Sequence, residues 1–270
     1  MEPNHYHHDA QMRDESMERS LRYQAACIWP REKLLFSRLR EEGLTRVLDM
    51  GCGTGEIASR LASEIHFPQV VGIDIIEERI RQAQDQYAHI GNLDFVHGDG
   101  EHIPFKDASF DLCVNRHVLQ VVPDPEAMIL EMARVTKPDG LLYILGEDYG
   151  MLHLTDLAND WFWQMAAQKA MQKNTHLTIG RQVPEILYRL GFQRVQSHTI
   201  ALDTLNTDRE LLAQMFKAWK DGYAQFLADM MAIPSEQAEA HFDRLIAASQ
   251  DPSRYLVWHV PVFLAENQRN

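Results

Sequence analysis

The sequence predicts an α/β fold around a mostly parallel sheet, and three observations carry that prediction. Short apolar runs end in an acid, at Val47-Leu48-Asp49 and again at Val70-Val71-Gly72-Ile73-Asp74. The first run is followed by residues with helical apolar spacing, Ile57, Leu61 and Ile65, as a strand feeding a helix requires. Glycines stand at alternate positions of that junction, Gly51, Gly53 and Gly55. Glycine there permits left-handed backbone angles and close approach of a ligand. The new helix also offers unpaired N–H groups that suit a carboxylate or phosphate.

Taken in order, the chain opens with a helical pattern from Glu18 to Leu39, which includes Leu21, Ala25, Ile28 and Leu35 and which Pro30 is expected to interrupt. The glycine turn follows. A dinucleotide site is the obvious competitor, but its G-x-G-x-x-G fingerprint requires a third glycine where this chain has Glu56. Asp74 at the end of the second run suits ribose hydroxyls and fits either reading. Leu93-Asp94-Phe95-Val96-His97-Gly98-Asp99 supplies a third strand with a third acid, and Ser109-Phe110-Asp111-Leu112-Cys113-Val114 a fourth. Asp124 and Pro125 read as N-cap and first helical residue, and Lys137-Pro138-Asp139-Gly140-Leu141 as the turn into strand five, which ends at Gly146. A helix is predicted over Thr155 to Lys173, another over Ile179 to Leu190 with Gly191 as its stop, and a sixth strand over Phe192 to Leu202. Thr207 and Glu210 form a capping-box pattern before a long helix. A further helix is expected over Ser235 to Ala248, and a last strand over Tyr255 to Ala265.

Asp49-Met50-Gly51-Cys52-Gly53-Thr54-Gly55, with the acids Asp74 and Asp99 and the stretch Ile103-Pro104-Phe105, resembles the class I S-adenosylmethionine-dependent methyltransferases, in particular the UbiE-like small-molecule branch. The resemblance runs closely over residues 44–150 and implies a Rossmann-like seven-stranded, mostly parallel sheet, strand seven antiparallel, with helices on both faces and a helical lid. It divides the chain into an N-terminal helical cap (1–43), the cofactor-binding half of the core (44–150), a lid insertion (151–177), core helix and strand six (178–204), a second lid insertion (205–254) and strand seven (255–270). It implies S-adenosylmethionine as cofactor and S-adenosylhomocysteine as product. Asp49, Gly51, Gly53 and Gly55 would face the amino-acid end, Asp74 and Ile75 the ribose, Asp99 and the backbone of Gly100 the adenine, and Asn115 the methionine portion.

The implied reaction is an in-line displacement on the sulfonium methyl by an oxygen, nitrogen or carbon nucleophile. Alignment and exclusion of water then supply most of the catalysis. Histidine is the natural base near neutral pH, and His117, just past strand four, and His153, beyond strand five, are the candidates. Tyr23, Trp29, Glu147, Tyr149, Trp161 and Trp163 are candidate acceptor-binding residues, with Gln24 a further lid residue. No catalytic metal is expected: His5, His7 and His8 lie in a polar terminus without partner ligands.

Composition narrows the acceptor. The formal net charge is −13, whereas a protein that neutralises phosphates usually presents a basic face. A small-molecule acceptor therefore fits better than a nucleic acid. A macromolecular acceptor, protein or RNA, and a non-catalytic cofactor-binding regulator remain the alternatives. No apolar run approaches membrane-spanning length, Met1 to Ser20 lack an apolar signal core, and Cys27, Cys52 and Cys113 form no disulfide or zinc pattern. Cytoplasmic residence is the expectation, and the oligomeric state is left open.

Overall fold

The structure is a computed structural model that describes residues 15–155, 160–173 and 175–268; His5, His7 and His8 lie outside them. Its elements are α1 (Glu15–Glu41), β1 (Arg46–Met50), α2 (Glu56–Ser63), β2 (Gln69–Asp74), α3 (Glu77–Tyr87), β3 (Leu93–His97), β4 (Phe110–Arg116), α4 (Pro125–Val135), β5 (Thr136–Leu145), β6 (Leu152–Leu154), α5 (Asp160–Met171), α6 (Ile179–Arg189), β7 (Val195–Asp203), α7 (Arg209–Met231), α8 (Ser235–Gln250) and β8 (Leu256–Glu266). A 3-10 turn, Tyr149–Met151, precedes β6.

The sheet runs β3-β2-β1-β4-β5-β8, with β7 on the far edge of β8. β1 to β5 are parallel, and β8 is antiparallel to β5 and β7. This is the Rossmann-like sheet with its last strand reversed. One short strand is additional. β5 pairs with β8 through Leu145↔Val262, and β6 pairs through Leu152↔Trp258. β7 covers the other edge of β8 along its length, so β6 continues the line of β5 after a break. The chain bulges out of the sheet between them, at residues 146–151, and that bulge carries part of the site.

Alternation along the strands sends side chains to two cores, because successive residues point to opposite faces. Val47, Leu112, Val114, Tyr143 and Leu145 pack under α1, α2 and the helices α5, α7 and α8. Leu48, Met50, Cys113, Leu142 and Ile144 pack against α4 and α6.

Local chemistry explains most element ends. Asp124 caps α4 by accepting from Ala127 N, with Pro125 at the first turn. Gly191, at φ 91°, follows the end of α6. Two expectations are corrected. α1 runs unbroken through Pro30; Ile28, Trp29, Glu32 and Phe36 are buried on either side of it, and this packing outweighs the lost helical hydrogen bond. The cap of α7 is Asp208, which accepts from Leu211 N, rather than Thr207, whose hydroxyl accepts from Arg31 Nη2.

Candidate active site

The glycine turn is built from three different needs. Gly51, Gly53 and Gly55 all have positive φ, 73°, 56° and 84°, a region that penalises any side chain. A Cβ at Gly51 would lie 2.3 Å from Val118 Cγ2, and one at Gly55 would lie 2.5 Å from Phe95. Those two glycines also make room for packing. Nothing lies within 4 Å of a Cβ at Gly53, so there the turn faces open space. Asp74 ties the turn to β2, with Oδ2 accepting from Gly53 N and Oδ1 from Ile76 N, each at 2.8 Å.

On the α1 face of the sheet, Asp49, Arg116 and Tyr143 point the same way, since Asp49 pairs with Val114 and Val114 with Tyr143. Glu32 of α1 meets them from above. Arg116 donates Nε and Nη2 to its two carboxylate oxygens at 2.8 and 2.7 Å, and Tyr143 donates its hydroxyl at 2.6 Å. All four residues are buried. Burial pushes the Asp49 carboxyl up to about 7, with Arg116 opposing the rise. Asp49 Oδ2 has no hydrogen-bond partner.

His117 is the first residue after β4, whose end lies at Arg116 rather than Val114. Its φ is 62°, a turn that swings the ring out of the strand line. Nδ1 hydrogen-bonds Glu147 Oε1, and Gln120 Nε2 donates to the same oxygen at 2.9 Å. Glu147 stands in the bulge between β5 and β6 and is fully buried. Its carbonyl accepts from Gly180 N at 2.9 Å, where Gly146 and Gly180 bring two backbones together. His117 Nε2 and Glu147 Oε2 have no protein partner. Burial, then the charge of Glu147, raises the hydroxyl pKa values of Tyr149 and Tyr223.

One cavity joins these parts. Its floor is Gly51, Gly53, Asp74, Ile75, Gly98, Gly100, Arg116 and His117. Its roof includes Met17, Leu21, Gln24, Tyr149, Trp163, Trp219, Tyr223 and Phe226, from α1, the bulge, α5 and α7. Of the residues singled out by sequence, Gln24, Gly51, Gly53, Asp74, Ile75, Gly100, His117, Tyr149 and Trp163 line it. Glu147 reaches it through His117. Asp49 and Asn115 lie buried at the ends of β1 and β4; Asn115 donates toward Met128 Sδ at 3.7 Å. Gly55 packs on Phe95. Asp99, in the β3–β4 loop, accepts from Glu101 N at 2.9 Å.

The other candidates are placed elsewhere. His153 is on the solvent-exposed side of β6, paired with Val257. Trp29 faces α2, where its Nε1 donates to Glu64 at 3.0 Å. Tyr23 packs against the core cluster of the α1 face. Trp161 is 41% exposed. Sequence reasoning missed Arg116, Gln120, Trp219, Tyr223 and Phe226. A signal for Arg116 existed, namely Glu32, a charge on the same helical stripe as Ile28 and Phe36. Among the described residues, no group of three His, Cys, Asp or Glu side chains could hold a metal ion, and no helix is long and apolar enough to cross a membrane.

The residues present fit a nucleoside with an amino-acid tail. A buried carboxylate oxygen lacks a partner at Asp49, a glycine faces open space at Gly53, and Asp74 stands beside both.

Comparison with known proteins agrees. Residues 48–144 match the methyltransferase-domain family. A demethylmenaquinone methyltransferase of Staphylococcus aureus is 36% identical over 102 residues, 37% of this chain and 42% of that protein. The chain thus spans less than half the length of that curated relative. Among solved structures, the [4+2]-cyclase SpnF aligns at TM-score 0.55 and 21% identity, over 84% of this chain and 77% of that one. A phosphoethanolamine N-methyltransferase of Haemonchus contortus, in complex with S-adenosylhomocysteine, aligns at TM-score 0.52 and 20% identity, over 84% and 49%. These two likenesses are of fold, and one neighbour is named for a cyclisation. The segment that matches the methyltransferase domain, residues 48–144, takes in the glycine turn, Asp74, Asp99 and the end of β4.

Proposed function

We propose that the protein methylates a small molecule at an oxygen or acidic carbon, using His117 as general base. The observation that carries this reading is the buried His117–Glu147 pair at the junction of the glycine-turn floor and the apolar roof of one cavity. A carboxylate can only accept, so Glu147 keeps the proton on Nδ1 and leaves the Nε2 lone pair to take a proton. Gln120 holds the same carboxylate oxygen and fixes the pair. Once protonated, the imidazolium is stabilised by the adjacent Glu147 in a setting with little water. A neutral amine needs no such base, which favours an O–H or C–H acceptor.

Asp49, Asp74, the Gly51–Gly53 backbone and the Gly98–Gly100 segment would hold S-adenosylmethionine, which supplies an already activated methyl group when bound. The roof binds and orients the acceptor and excludes water. Its side chains are largely aromatic and aliphatic, which suits an uncharged, apolar acceptor. The acceptor in the name of the Staphylococcus relative, demethylmenaquinone, is likewise a small molecule.

The test is methyl transfer from labelled S-adenosylmethionine to a panel of phenols, amines and carbon acids. Turnover of hydroxyl or carbon acceptors that is abolished by His117→Asn supports the reading. Label entering only protein or RNA of a lysate would overturn the small-molecule part. Turnover of amines alone, indifferent to His117, would overturn the base.

A further inference from the structure

A buried arginine at the end of a core strand needs a reason. Arg116 is 8% exposed, and taking a guanidinium out of water costs several kcal/mol unless it is paired. Glu32 pairs it through two parallel bonds, the fork geometry that fixes the plane of the group. Tyr143 holds the Glu32 carboxylate from the other side. This is more fixing than a structural cation needs, and it occupies only Nε and Nη2. Arg116 nevertheless lines the cavity, as do Gly51 and His117.

The neighbouring residue on the same sheet face is Asp49, whose Oδ2 lacks a partner. A buried cation and a buried anion thus stand side by side at the ends of β4 and β1, each with a donor or acceptor left over. An amino acid is a zwitterion, with an ammonium and a carboxylate on one carbon, and it complements such a pair.

We propose that Arg116 is the residue that binds the carboxylate of the cofactor's amino-acid end, through Nη1, and that Glu32 of α1 and Tyr143 are positioning residues that aim it. The inference rests on the cofactor reading given under Proposed function and adds a specific receptor for one charged group. It gives the cap helix a part in cofactor recognition. α1 covers the cavity with Met17, Leu21 and Gln24, and through Glu32 it also sets the orientation of Arg116. Without Glu32, the guanidinium would turn to Asp49, whose charge also acts on it from the same sheet face, and both cofactor contacts would be lost together.

The test compares two ligands in titration calorimetry on the full chain: S-adenosylmethionine and decarboxylated S-adenosylmethionine, which keeps the amine and lacks the carboxylate. The wild type should prefer the former by about 10- to 100-fold, the range of one charge-assisted hydrogen bond. Arg116→Met alone would strand the Glu32 charge, so the deciding variant is Arg116→Met/Glu32→Gln, which removes both charges together. In it the preference should fall toward unity, chiefly through weaker S-adenosylmethionine binding. Glu32→Gln alone should weaken both ligands, because Asp49 is then occupied by Arg116. Restoring the affinity for the decarboxylated ligand should require the additional Arg116→Met change. A folded double variant that keeps the wild-type preference overturns the inference, as does a parallel loss for both ligands. Equal wild-type affinities overturn this inference alone. A wild type that binds neither ligand overturns the cofactor reading with it.

Discussion

The floor and the roof of the cavity are built by opposite means. The floor is local: Gly51 to Gly55, Asp74 and Gly98 to Gly100 sit at successive strand ends, and Asp74 binds backbone N–H groups of the turn beside it and of its own loop. The roof is assembled from distant parts of the chain. Tyr223 of α7 donates to Met17 of α1, and Arg19 of α1 reaches Asp221 of α7 at 2.9 Å. Tyr149 of the bulge stacks on Trp163 of α5 at 4.7 Å and on Trp258 of β8 at 5.7 Å. A floor made of backbone and acids suits one fixed ligand. A roof made of aromatic faces can change shape with the side chains that line it, which is how one fold comes to serve many acceptors.

His117 lies on the floor but is tied to Glu147 of the bulge, next to Tyr149 of the roof, and the largest expected effect tests that position. His117→Asn should lower kcat by about 10²- to 10⁴-fold, the usual contribution of a general base, while S-adenosylhomocysteine affinity stays near wild type. Asparagine is chosen because it tolerates the positive φ at this site. Equal losses in turnover and cofactor affinity would assign His117 to cofactor binding rather than to the chemistry. No loss of turnover would remove it from the chemistry.

The next effect probes the floor by itself. Asp74→Ala removes a carboxylate that orders the turn through Gly53 N and Ile76 N. S-adenosylhomocysteine affinity should fall by about 1–3 kcal/mol, and the thermal unfolding midpoint should fall as well, because Gly53 N and Ile76 N lose their acceptor. Unchanged calorimetric affinity in the folded variant would contradict a ribose role for Asp74.

This contrast also explains what was legible in the sequence. Acids at strand ends, glycines at a turn and the Asp124-Pro125 cap are short-range signals, and they marked β1 to β5 and most of the floor. The roof depends on tertiary contacts. Nothing in the order of residues tells that Trp29 turns toward Glu64 while Trp219 faces the cavity, for both lie on amphipathic helices. The short strand β6 was missed because three residues have no readable period, and because its partner β8 is about a hundred residues later. The pairing of His117 with Glu147 could not be read either. It depends on β5 breaking at Gly146 and resuming as β6, which aims the bulge back at β4.

A third prediction probes, through stability, the packing of α8 behind the roof helix α5. His241 of α8 is 2% exposed and stacks on Phe162 with ring centroids 3.9 Å apart. Neither ring nitrogen has a partner. Burial, with a smaller contribution from Arg244, pushes its pKa down to about 3. The unfolded chain therefore takes up this proton first as pH falls. The stabilisation tied to neutral His241 is complete above about pH 6.5 and is lost as pH falls toward 3, amounting to about 2 kcal/mol at pH 5. His241→Phe keeps the stacked ring and should lose that much less stability than wild type between pH 7 and 5 in urea unfolding. The same acid sensitivity in both proteins would place its origin elsewhere.

The smallest effect has the opposite sign and belongs to the floor. Burial raises the Asp49 carboxyl to about 7, against the pull of Arg116 and with help from Asp74 and Glu32. Because the folded value lies above the unfolded one, its contribution to the stability of the ligand-free protein is complete below about pH 4 and is lost as pH rises through 7. On the proposed role of Asp49 as receptor of the ligand's ammonium, cofactor affinity should move the other way, since the ionised carboxylate is the form that attracts it. Between pH 6 and 8 the ionised fraction rises about tenfold, and S-adenosylhomocysteine affinity should rise with it. Asp49→Asn removes the titration and should give weaker, flatter binding over that range. A slope that survives in Asp49→Asn and disappears in His117→Asn would move the effect from Asp49 to the His117–Glu147 pair. A slope lost in Asp49→Asn alone would give the molecule two buried titrating groups of opposite sense. The floor would then tighten its hold on ligand as pH rises through neutrality, while the packing around His241 would weaken only as pH falls below about 6.5.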